Sequence, residues 1–161
     1  MKRMHVIGRI VVLVLVCAAS LPAWSQTAWK TAANGVWGDP ANWTNGVPNA
    51  NNAVLGQGSG SYTATVDAVA NAYLGLTVTN AAGNTTTLDI NTNGFRNSAG
   101  KVAIGRGAIV NVNAGGEWTY EGTNTLNLPF VTIKDGGEVR INGGALVLTN
   151  RQAGGYGAAN S

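Results

Sequence analysis

The chain has 161 residues, with 10 Lys+Arg against 7 Asp+Glu and a pI near 9.3. Lys2, Arg3 and Arg9 fall in the first 25 residues, which hold no acid, so the remainder carries seven charges of each sign and offers no basic face for nucleic acid. The sole cysteine, Cys17, and the sole histidine, His5, lie in that same segment, so beyond it disulfides, thiol or imidazole catalysis and His- or Cys-ligated metals are excluded.

Residues 1–25 read as an export signal. A basic start precedes the apolar run Ile10–Ala19, and Ala23-Trp24-Ser25 places small residues where a signal peptidase reads them, so cleavage is expected near Ser25. The run is about ten residues, against roughly 20 for a bilayer span. A membrane anchor is therefore the weaker reading, and the mature chain is expected to have no membrane span. A lipoprotein signal needs a small residue before Cys17, and Val16 stands there.

Trp29, Trp37 and Trp43 follow in WKTAANGVWGDPANWTNGVPNANNA (29–53), with a Gly-Val-Pro turn. Residues 26–70 read as a Trp-rich cap with the first strands. From Leu76 onward, apolar residues alternate in short runs: Leu88 and Ile90, Val110 and Val112, Val139 and Ile141, Leu146 and Leu148, most closed by Gly or Asn. That period is a strand signal, and the chain reads as all-β.

The runs repeat. VAIGRGAIVNVNAGGEWTY (102–120) aligns with VTIKDGGEVRINGGALVLT (131–149) at an offset of 29, matching Val102 to Val131, Ile104 to Ile133, Val110 to Val139 and Val112 to Ile141. A third copy from Leu76 needs about two inserted residues near Gly83. A β-sandwich would not need such a register. The pattern predicts a right-handed parallel β-helix of about three coils over 71–150, with alternate apolar residues in the bore. The aligned Asn91, Asn113 and Asn142 predict an amide ladder at one turn. Trp29, Trp37 and Trp43 would cover the first coil. The Gly- and Ala-rich run 151–161 is a tail, or the point where a longer solenoid continues.

No carboxylates stack in this alignment. Asp135 meets Arg106, and Asp89 meets Asn111 and Arg140, as charge pairs on a solvated face. Glu117 and Glu121 are close in sequence, but nothing marks them as a catalytic pair. The expectation is no catalytic residue, no metal and no cofactor. Trp118 and Tyr120 share one face of a strand. The repeat puts that face in the bore, aligning Trp118 with Val147; turned outward, the two rings would be candidates for stacking on a glycan.

GVWGDPANWTNGVPNANNAVL (35–55), YTATVDAVANAYLGLTV (62–78) and GGALVLTN (143–150) resemble segments of bacterial exported β-helical proteins with autotransporter-associated β-strand repeats, some carrying a PEP-CTERM sorting tail. The resemblance implies a secreted or outer-surface β-helix and no defined catalytic residues. Asn51-Asn52 replaces the Asp often found after the Gly-Val-Pro turn, which speaks against Ca²⁺ there. The functional expectation is a non-catalytic structural or adhesion protein, the N-terminal part of a longer one. The alternative is a secreted carbohydrate-binding module or polysaccharide-active β-helix. The expected partners are extracellular polysaccharide or other cell-surface components.

Overall fold

A computed structural model describes residues 25–56, 58–68, 72–98, 100–122 and 131–150. The expected leader, up to residue 24, and the run 151–161 lie outside the described residues. The strands are β1 (Gln26–Ala28), β2 (Gly35–Val36), β3 (Asn52–Leu55), β4 (Tyr62–Val66), β5 (Leu76–Val78), β6 (Thr86–Ile90), β7 (Phe95–Asn97), β8 (Val102–Ile104), β9 (Ala108–Asn113), β10 (Glu117–Gly122), β11 (Val131–Ile133), β12 (Glu138–Asn142) and β13 (Ala145–Asn150). One 3-10 turn, Pro40–Asn42, interrupts them, with the Asp39 carboxylate accepting from Ala41 N at 2.8 Å.

The strands stack into three parallel sheets, ordered β1-β3-β5-β8-β11, β2-β4-β6-β9-β12 and β7-β10-β13. The chain is an all-β parallel solenoid of about four turns. Sequence reading expected about three. The extra winding lies in residues 26–66, where β1 to β4 stack in register with the later coils.

Alternation sets which side chains enter the bore. Ala64, Leu88, Val110 and Val139 form one column, and Val66, Ile90, Val112 and Ile141 the next. Leu55, Val78, Ile104 and Ile133 form a third on the neighbouring sheet. The middle members are fully buried, each contributing about 1.5–3 kcal/mol.

The 29-residue register holds for β8 with β11 and for β9 with β12, then slips. Trp118 pairs with Leu146, not Val147, because two residues separate Asn142 from β13 where three separate Asn113 from β10. A one-residue slip exchanges the faces of a strand. Gly116 permits the tight turn, since a Cβ there would fall on the Ile90 carbonyl. The third coil carries four extra residues, not about two: Val78 to Leu88 spans ten positions where Ile104 to Val110 spans six.

Candidate functional site

The tryptophans lie inside the first coil. Trp29, Trp37 and Trp43 are each 1% exposed. Trp43 meets Trp29 edge-on at 5.1 Å and Trp37 at 4.7 Å, and Trp37 meets Phe95 at 4.8 Å. Trp43 Nε1 donates to the Trp37 carbonyl at 2.7 Å. The segment 42–45 closes the outer edge of β1. Lys30 N donates to Asn42 O (2.8 Å), Thr44 N to Ala28 O (2.9 Å), Ala28 N to Thr44 Oγ1 (2.9 Å) and Asn45 Nδ2 to Gln26 O (2.8 Å).

At the turn after the second sheet, Asn113 Nδ2 donates to Asn91 Oδ1 at 2.7 Å and Asn142 Nδ2 to Asn113 Oδ1 at 3.1 Å. Both bonds run toward the N-terminal end, with Asn113 donating to one neighbour and accepting from the other, so the three side chains form a one-directional ladder.

Trp118 and Tyr120 do not present their rings for glycan stacking. They are 0% and 2% exposed, and Trp118 Nε1 donates to Tyr73 Oη at 2.7 Å inside the bore. The cause is the parity of β10: Phe95 and Asn97 beneath, and Leu146 and Leu148 above, occupy the same inward columns. Burial raises the Tyr73 hydroxyl well above its ordinary value, against the opposing hydrogen bond from Trp118. Burial also raises Tyr62 and Tyr120. A raised folded-state value means stability is intact below the unfolded value of about 10 and is lost as pH climbs beyond it. Tyr73→Phe is expected to cost about 1–3 kcal/mol at neutral pH, because the Trp118 N–H loses its acceptor. It should also flatten the loss of stability above pH ~10. Denaturant titrations at neutral and alkaline pH measure both effects.

The acids lie on the outside. Arg96 pairs with Glu121 at 2.5 Å, and Arg140 with Glu138 on the same strand. Both arginines are half exposed, so each pair is worth at most about 1 kcal/mol. Asp89 accepts from Asn111 Nδ2 at 2.7 Å, so Asn111 stands between it and Arg140. Among the described residues, no three His, Cys, Asp or Glu side chains are grouped as a metal site, and no helix is long and apolar enough to cross a membrane.

Stacking does create one concave feature that the sequence did not announce. Gln26, Asn52, Val54, Gly75, Leu76, Thr77 and Lys101 line a shallow groove of about 310 Å³ on the outside of the first sheet. Gly75 keeps its floor open, since a Cβ there would lie 2.7 Å from Asn52 Oδ1. Two side-chain amides, a hydroxyl and an ammonium can donate to sugar hydroxyls or to an acidic sugar. Its residues come from four coils, brought together by registers of 26 (Gln26 to Asn52), 23 (Ala53 to Leu76) and 26 (Leu76 to Val102).

Compared with known proteins, the chain matches no family model, no curated protein and no solved structure.

Proposed function

We propose that this chain is an exported, non-catalytic β-solenoid with a structural and adhesive role at the cell surface. The observation that carries the reading is the pair of five-stranded parallel sheets running in register from Gln26 to Asn142, closed at the first coil by three buried tryptophans. Such a stack holds a rigid outer surface without cofactor or disulfide. The leader-like first 25 residues and the resemblance to autotransporter-associated repeat proteins support an extracellular setting. Expression of the full chain in a bacterial host tests this. The expected result is loss of the leader near Ser25, read by mass spectrometry, with protease-accessible protein outside the cell that promotes attachment to coated surfaces. Retention in the cytoplasm with the leader intact would overturn it.

The groove favours a second reading, a secreted carbohydrate-binding module. Polysaccharide pull-down should then give saturable binding, weakened about tenfold by Lys101→Ala or Asn52→Ala and unchanged by Thr87→Ala on another sheet. Equal binding by all three variants would remove the groove from the argument.

A further inference from the structure

We propose that the groove on the first sheet takes one uronate residue of an acidic polysaccharide, with the sugar carboxylate on Lys101 and the ring seated over Gly75. The inference rests on the carbohydrate-binding reading of that groove and names its class of sugar. The stack itself builds the site. β1, β3, β5 and β8 are successive neighbours in the first sheet, and their registers put Gln26, Asn52, Gly75 and Lys101 in one outward column. Backbone bonds from Ala53 N to Gly75 O (2.8 Å) and from Leu76 N to Lys101 O (3.0 Å) hold the last three in place. The next outward column carries Val54 and Thr77, which are register partners.

Gly75 interrupts the first column. Its neighbours carry an amide and an ammonium, whereas a Cβ at Gly75 would meet Asn52 Oδ1 at 2.7 Å and Lys101 O at 3.1 Å. Neighbouring strands lie about 4.8 Å apart, so Asn52 and Lys101 flank a gap of two spacings, roughly 10 Å. A single sugar ring fits that gap, with an amide on one side and a cation on the other. Val54 offers its methyl groups to the C–H face of the ring, and the Thr77 hydroxyl stands beside it.

The charge balance of the groove favours an acidic sugar over a neutral one. All seven Asp and Glu side chains of the protein lie among the described residues, and none of them lines the groove. The two ion pairs among the described residues belong to Arg96 and Arg140, so Lys101 has no acid of its own. An ammonium among otherwise neutral polar groups binds a carboxylate through charge-assisted hydrogen bonds, which are about twice as strong as those to a neutral hydroxyl. The amides of Gln26 and Asn52 and the Thr77 hydroxyl both donate and accept, as ring hydroxyls require. Those neutral groups make the groove selective for a charged sugar, and not for any polyanion.

Calorimetric titration of the purified protein with polygalacturonate and with its fully methyl-esterified form tests the proposal, since the two polymers share rings and hydroxyls and differ in charge. The free acid is expected to bind about tenfold more tightly or better. Lys101→Gln should abolish that preference and Lys101→Arg should keep most of it. Lys134→Gln, a cation outside the groove, should leave it unchanged. Polyglutamate, which carries the carboxylates without the rings, should not bind. Circular dichroism checks that each variant is folded. Equal affinity for the two polymers would overturn the uronate assignment and leave a groove for neutral sugar. A preference for the acid that survives Lys101→Gln, or binding matched by polyglutamate, would overturn it by placing the anion elsewhere. Binding of neither polymer would remove the carbohydrate reading of the groove together with it.

Discussion

Trp37→Ala is expected to lower stability by about 3–5 kcal/mol, a fall of roughly 10–20 °C in Tm for a domain this size. Trp37 lies at the centre of the aromatic plug. Its indole meets Trp43 at 4.7 Å, Phe95 at 4.8 Å and Tyr73 at 5.8 Å, and its backbone N donates to Thr65 O at 2.8 Å. It thereby joins the first coil to residues of the second and third. In a solenoid, stability is close to a sum of coil and neighbour terms, so losing this ring uncouples the first coil more than the rest. Hydrogen exchange should show the extra opening in residues 26–55, with little change in β9 or β12. Trp37→Phe provides the control. Trp37 Nε1 is buried with no hydrogen-bond partner, so the smaller ring removes an unsatisfied donor and leaves a smaller cavity. A loss of roughly 1–2 kcal/mol is expected for it. Equal losses for the two variants would mean that the plug does not act through packing.

The C-terminal coils were legible because their period is clean. Val110, Val112, Val139 and Ile141 follow turns of equal length from β8 and β11, and an offset of 29 is enough to place them in register. The Asn ladder was legible for the same reason, since one residue type recurs at one turn. The first two coils were not. Their inward columns mix Tyr62, Ala64 and Val66 with Thr27 and Trp29, so burial there follows from the stack and not from hydrophobicity. The slip between β10 and β13 escaped because Gly115-Gly116 and Gly143-Gly144 are interchangeable by eye, while one residue of turn length decides which face Trp118 shares. The polar groove was invisible for a stronger reason. Its coils follow one another at steps of 26, 23 and 26 residues and not at the 29 of the last coil, so Gln26, Asn52, Thr77 and Lys101 keep no single period along the chain.

Val112→Asp and Ile141→Asp isolate what stacking itself contributes. The two residues follow similar local sequence, Val-Asn-Val and Val-Arg-Ile, occupy the same inward column and are direct register partners. They differ in what lies above them. Val112 is 0% exposed between Ile90 and Ile141, whereas Ile141 is 48% exposed on the last rung. A carboxylate at 112 would be buried without a partner at a cost of several kcal/mol, a large share of the roughly 5–15 kcal/mol that holds a typical domain. Such an acid resists ionising, so its folded-state pKa would rise above the unfolded value of about 4. Its stability is then greatest below that value and falls as pH rises toward the folded one, so the variant should be best folded in acid and mostly unfolded at neutral pH. At 141 the acid reaches water, and the expected loss is about 1 kcal/mol with little dependence on pH. Denaturant titration across pH distinguishes the two. Similar losses at both positions would mean that the bore is not closed at the fourth coil, and the columns assigned to it would be wrong.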